Sequence, residues 1–422
     1  MSGFLIEFRR TPVRWLALPL LLASAAMVFL VGGPWQGSWP ETSAAATRAA
    51  LPLTVAAVGI AAHRSSQLRR SGTDTLLAAR RPFQVELARL AADAVWLCGV
   101  YLLCTGAAWI ATATAGAPGG PWPEYVLFGI SGIVFALALG HFTGRLLPTR
   151  FTGAIAAVGG FLLFTLVFGS QSSPLATLVF YHSIDVRLSA THLAWRLVAT
   201  VLAVAAMGTV GGLIDRDTRR KGATAAGGFF SVATLICVLA MPGNGTELLE
   251  RRPAEPAACA PGGGSTVCVW PEHAGRLDEA VDTARKIGAA ADGVLPPPDR
   301  YRETGLARDG AGGFTLDHGR KDLLHTMLLE LTDPHKTWCE SGSESGSESE
   351  DANRRRMYAG LQVEAWLEAR ATGSGKLPDY TYAGDTGWQT DVRRVLALPD
   401  SGPDSGQVAA AKGWVREMRA PC

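Results

Sequence analysis

Charge is scarce in this sequence. Asp, Glu, Lys and Arg make up 18% of its 422 residues, against roughly 25% in a soluble globular protein. The shortage is uneven: residues 15–62 and 91–246 hold few charges, while residues 247–422 read as an ordinary soluble sequence. A chain soluble along its whole length is therefore excluded. The signatures of several chemistries are missing as well. A phosphate loop needs G-x-x-x-x-G-K-[ST], and the nearest stretch, Gly373-Ser374-Gly375-Lys376, has Arg370 for the first glycine and Leu377 for the hydroxyl. Neither H-E-x-x-H nor G-x-S-x-G occurs, which removes the zincin and nucleophile-elbow hydrolases. His318 and His325 are seven residues apart, so His273, His318, His325 and His335 read as surface or core histidines. A metal site on His325 and Glu330 is the lesser alternative. No catalytic, cofactor or metal residues are expected, and a net charge of +2 gives no ground for a nucleic-acid partner.

What is present is apolar sequence in long runs. A bilayer core of about 30 Å takes about 20 apolar residues per helix. Seven stretches approach that length: 13–31, 46–63, 91–112, 125–144, 152–170, 193–214 and 225–242. The second is interrupted by Arg48 and Pro52. The first follows Arg9, Arg10 and Arg14, and reads as an anchor that stays rather than a cleaved signal. Loop charges orient the set. Fifteen basic residues fall on one side, in the N-terminal segment and the loops around Arg64–Arg89, Arg145–Arg150 and Arg216–Lys221. The opposite loops hold only Arg187. Such asymmetry places the basic side in the cytoplasm and leaves residues 243–422 outside the cell. Residues 1–12 set Phe4, Leu5, Ile6 and Phe8 beside Arg9 and Arg10, as an interfacial helix would. Leu175–Ile184 is apolar but too short to cross, and reads as a re-entrant segment or an apolar outer loop. Arg196 is expected to snorkel or to pair with Asp185. His141 and His182 sit near span ends.

Three segments carry a family resemblance. The first is Glu7-Phe8-Arg9-Arg10-Thr11-Pro12-Val13-Arg14-Trp15. The second is the basic loop Leu68-Arg69-Arg70-Ser71-Gly72-Thr73-Asp74-Thr75-Leu76-Leu77 followed by Arg80-Arg81-Pro82, and the third is the short apolar segment before the sixth span. Over residues 1–220 the pattern resembles the permease subunits of ABC-2-type transporters, particularly divergent actinomycete versions. The resemblance implies a separate cytoplasmic ABC ATPase, a homo- or heterodimer in the cell membrane, and a docking role for the basic loop. Arg69, Arg70, Asp74, Leu76, Leu77, Arg80 and Arg81 are its candidate docking residues. Two readings of the loop stand side by side. In one its arginines are topology signals touching anionic lipid; in the other they are part of a docking helix announced by the Ser71–Asp74 start signal.

The remaining sequence is expected to form a mainly helical extracytoplasmic domain, residues 243–422, with few strands. The whole is thus an all-α polytopic membrane protein of about seven transmembrane helices plus that domain. Cys259, Cys268, Cys339 and Cys422 lie in it, and an oxidising exterior suggests bridges Cys259–Cys268 and Cys339–Cys422, although three pairings are possible. Helical faces are Leu277/Val281/Ala284/Ile287, Leu323/Leu324/Met327/Leu328/Leu331, Met357/Leu361/Ala365 and Val408/Ala411/Trp414/Val415/Met418. Thr266–Trp270 is a short strand candidate, and Trp270-Pro271-Glu272-His273 an aromatic anchor into a turn. Residues 340–351, nearly all Ser, Glu and Gly, are expected to be a disordered insertion. A binding or sensory protein, anchored by its spans and capturing a ligand through this domain, is the rival function.

Overall fold

The computed structural model describes residues 2–31, 35–70, 82–117, 119–167, 179, 184–214, 232, 248–252, 257–306, 313–316, 320–332, 347–374, 387–398 and 405–420. The chain separates into two compact units, Met1–Arg251 and Arg252–Cys422.

The first unit is a helix bundle. Its elements are α1 (Ser2–Arg10), α2 (Val13–Phe29), α3 (Trp39–Thr47), α4 (Ala50–Arg70), α5 (Pro82–Thr114), α6 (Pro123–Leu146), α7 (Thr152–Leu162) and α8 (Ala190–Ile214). A π-helical turn, Leu163–Val167, extends α7. Four helices are long and apolar enough to cross a membrane: Trp39–Leu68, Glu86–Thr114, Pro123–Leu146 and Ala190–Met207. A fifth is formed if α1 and α2, bent by 60° at their junction, count as one. The expected seven spans are therefore not all present among the described residues; 225–242 lies outside them apart from Val232, and α7 is short.

The helices bury little apart from one another. Trp15, Leu18 and Leu22 on α2 are 75%, 65% and 63% exposed, and Leu103, Ile110 and Val201 are exposed too. A surface of that composition needs lipid or protein against it. The inside is built from small residues. A side chain on Gly140 would meet the Val58 carbonyl at 2.3 Å, and one on Gly144 the Ala62 carbonyl at 2.3 Å. The spacing Gly140-x-x-x-Gly144 thus brings the α6 backbone onto α4, where apolar solvent offers no hydrophobic drive and packing must supply the adhesion. On its other side α4 meets α7, Gly59 facing Ala157.

At the end opposite the arginines, β1 (Val186–Leu188) pairs antiparallel with β2 (Leu249–Arg251), Arg187 facing Glu250. Arg196 does not snorkel. It is 5% exposed, donates from Nε to Ser131 Oγ at 2.9 Å and lies over the Phe128 ring at 4.0 Å. Of the short apolar segment before α8, Val179 and Ile184 are described, both buried, and the Val179 N–H donates to Thr47 Oγ1.

The second unit has a core of its own. β3 (Ala258–Gly262), β4 (Ser265–Val269) and β5 (Arg300–Arg302) form a sheet in that order, β4 antiparallel to β3 and parallel to β5. Gly263 (φ 61°) and Gly264 (φ 88°) make the two-residue turn of the β3–β4 hairpin, a geometry that wants positive φ at both positions. Helices α9 (Leu277–Ala291), α10 (Arg320–Thr332), α11 (Ser347–Thr372), α12 (Gly387–Leu396) and α13 (Gly406–Met418) complete it. Trp270, Trp366, Tyr301 and Phe314 are fully buried among them. Three of the four expected helical faces point inward. On α11 Met357 is instead 39% exposed, and Val363, Trp366 and Leu367 fill the core. The expected insertion also ends earlier, since Ser347–Asp351 belongs to α11; residues 340–346 lie outside the described set.

Candidate functional site

The basic ends of α4, α5 and α6 converge with α1, and this is where polar side chains concentrate. On α5 the residues Glu86, Arg89 and Asp93 follow helical spacing and share one face. Asp93 is the hub. It accepts from Thr11 Oγ1 at 2.5 Å and from Arg64 Nη1 at 2.5 and 2.6 Å. Arg64 also reaches Glu7 at 2.9 Å through Nη2, and Arg89 Nε approaches the other Glu7 oxygen at 3.3 Å. Three carboxylate–guanidinium contacts thereby join α1, α4 and α5, and Phe8 stacks on Trp96 with ring centroids 5.2 Å apart. Charged groups this buried persist when each finds a partner; Asp93 is 3% exposed.

One residue further along α4 a second group begins. Ser65 Oγ lies 2.7 Å from His141 Nδ1, His141 Nε2 is 3.5 Å from Glu86, and Arg145 forms an ion pair with the same carboxylate. A cavity of about 20 Å³, with Ser65, Glu86, Asp93 and His141 in its wall, separates the two groups. That is room for about one water. On the outer side opens a cleft of about 530 Å³ lined by Arg64, Gln67, Leu68, Arg70 and Arg89.

Of the docking residues expected from sequence, Arg69 and Arg70 end α4, and exposed Arg70 lines the cleft. Asp74, Leu76, Leu77, Arg80 and Arg81 lie outside the described residues. Cys259 and Cys268 are bridged and face each other across the β3–β4 ladder; Cys339 and Cys422 lie outside the described residues. Glu7, Thr11, Glu86 and Asp93 were not anticipated as site residues. The spacing Glu86-x-x-Arg89-x-x-x-Asp93, the acidic entry to an apolar run, was the available signal.

In the second unit two histidines pair with buried glutamates. His273 Nδ1 lies 2.5 Å from Glu303, both side chains buried, and Glu303 also accepts from the Trp270 N–H at 2.8 Å. The indole Nε1 of Trp270 donates to the Thr304 carbonyl, so the aromatic anchor is built as its sequence suggests. His325 sits 2.5 Å from Glu364. Among the described residues no group of three His, Cys, Asp or Glu is placed to hold a metal. Burial, with the Glu330 carboxylate adding to it, raises the Tyr301 pKa above the ordinary tyrosine value.

Compared with protein-family models, curated proteins and solved structures, the chain matches none. The functional argument rests on the residues themselves.

Proposed function

We propose that this chain is the membrane-embedded permease subunit of an ABC-type export or immunity system, acting as a homo- or heterodimer with a separate cytoplasmic ATPase. The observation that carries the reading is the clasp of Glu7, Arg64, Arg89 and Asp93. A motor bound at a loop can move a transmembrane helix only if the loop's ends are rigidly held. α4 ends at Arg70 and α5 begins at Pro82, each within about two turns of the clasp residues Arg64 and Arg89. Seven crossings are favoured by chain direction. α8 carries the chain roughly 37 Å away from β1 at 1.5 Å per residue over 25 residues, and β2 returns beside β1. With the arginine side in the cytoplasm, the second unit is extracytoplasmic, where a Cys259–Cys268 bridge is at home.

Replacing Leu76 and Leu77 by Asp tests the docking role. The variant should insert normally, because orientation depends on the arginines, and should lose its copurifying ATPase. ATPase recovered at wild-type yield ends the docking role. If the native protein brings down no ATPase, the second unit becomes the functional part. Its independent core and its cleft of about 450 Å³ beside Lys286, Arg370 and Gln407 favour a ligand-capturing receptor in that case.

A further inference from the structure

We propose that the cleft at the basic end of the bundle binds the phosphate of an anionic phospholipid headgroup between Arg64, Arg70 and Arg89. The inference uses only the membrane-spanning part of the functional reading and is independent of any ATPase.

The described residues in the walls of the cleft supply three guanidinium groups, the Gln67 amide and the Leu68 side chain, with no carboxylate among them. Its volume, about 530 Å³, falls within the roughly 300–1,000 Å³ typical of ligand sites. Two of the cations are held in place from behind. Arg64 is fixed by Asp93 and Glu7, and Arg89 Nε is drawn to within 3.3 Å of Glu7 as an ion pair, which leaves both Arg89 terminal amino groups without a partner among the described residues. Arg70 is exposed, makes one long hydrogen bond from Nε to the Ser66 carbonyl at 3.4 Å, and has no carboxylate partner among the described residues. Among the described residues, three positive charges thus stand against the two carboxylates of Glu7 and Asp93, and the one positive charge that remains matches a monoanionic phosphodiester.

Depth decides the source of that phosphate. α5 has 33 residues, roughly 50 Å at 1.5 Å per residue, while a bilayer core measures about 30 Å. Its uncharged residues 94–114 alone fill that thickness, so Arg89 lies just beyond it, among headgroups. α1 is at the same level. Glu7 touches Arg64 and Arg89, Leu5 and Ile6 expose half their surface, and Phe8 stacks on Trp96. Amphipathic helices and tryptophans occupy that interfacial layer, and basic pockets between helices at this depth take lipid headgroups.

The full-length protein, reconstituted without any ATPase into nanodiscs of phosphatidylglycerol mixed with phosphatidylcholine, is ejected for native mass spectrometry and its retained lipids are counted. Wild type should retain phosphatidylglycerol in preference. Arg70→Gln should weaken that retention about fivefold and Arg70→Glu about thirty-fold, at about one charge's worth of surface attraction per step. Arg70→Lys should keep most of it. Since Arg70 holds no ion pair among the described residues, all three should elute and melt like wild type in uncharged detergent. Equal retention of the two lipids by wild type, or undiminished retention by Arg70→Glu, overturns the site. Displacement of the lipid by soluble glycerol phosphate at equal concentration overturns the lipid assignment in favour of a soluble phosphate ligand.

Discussion

Arg64 on α4 grips Asp93 on α5 through both carboxylate oxygens, at 2.5 and 2.6 Å, and turns its other amino group to Glu7 on α1. An arginine that hydropathy alone would count as an orientation signal is thereby the fastener of three helices. Its neighbour Ser65 meets His141 on α6, so one turn of α4 addresses every other helix at that end of the unit that bears an ionised group in these two clusters.

Breaking this fastener should be costly. Arg64→Ala leaves Asp93, 3% exposed, as a buried charge held by Thr11 alone, and losing one partner of a buried pair typically costs about 3–5 kcal/mol. The variant should lose most of its detergent-stable, monodisperse yield. Arg64→Ala combined with Asp93→Asn should recover a substantial part of it. A double variant no better than the single one would show that the two charges are not coupled.

The close approach of α4 and α6 predicts a sharp contrast between glycines. Gly140→Leu must push aside the Val58 backbone, whereas Gly99→Ala meets nothing within 4 Å. Overpacking of this kind costs about 1–3 kcal/mol or more. Thermal melts in detergent should show Gly140→Leu well below wild type and Gly99→Ala within experimental scatter of it.

Topology is the third test. Alkaline phosphatase fused after Cys422 should be active in cells and a fluorescent protein fused there dark, because the proposed topology, argued from the loop arginines, puts the second unit outside. The reverse pattern would invert the whole arrangement, and with it the docking reading of residues 71–81.

In the second unit, alkali should act through Tyr301. Its hydroxyl ionises near pH 10 in an unfolded chain but at a higher pH in the fold, where burial and Glu330 oppose the charge. Stability from this residue is full below about pH 10 and falls as pH rises toward the folded value. Tyr301→Phe should flatten that decline in pH-dependent melts. At neutral pH it should be neutral or slightly stabilising, since the buried hydroxyl makes no hydrogen bond among the described residues.

The disulfide gives a fifth expectation. Cys259→Ser with Cys268→Ser frees a loop of about ten residues, worth about 2.5–3 kcal/mol on chain entropy, and should lower the melting of the second unit accordingly. Mass spectrometry of non-reduced peptides from native membranes should find the two joined.

By itself the sequence determined the division into a strongly apolar part and one of ordinary composition, the apolar runs now seen as α2, α5, α6 and α8, and the Cys259–Cys268 pair. Each follows from a property confined to neighbouring residues: hydropathy summed over a window, or two cysteines a few residues apart. Met357 shows the limit of such reading, because a helical face at period 3.6 does not say which flank another helix will cover. Only the tertiary structure decided that Arg64 serves Asp93, that Arg196 is buried against Ser131 and Phe128 rather than snorkelling, and that Gly140 and Gly144 are contact points. Those outcomes depend on the rotation and register of one helix against the next. Coulomb attraction and backbone packing act across the gap between helices, and the order of residues along either one leaves that gap unspecified.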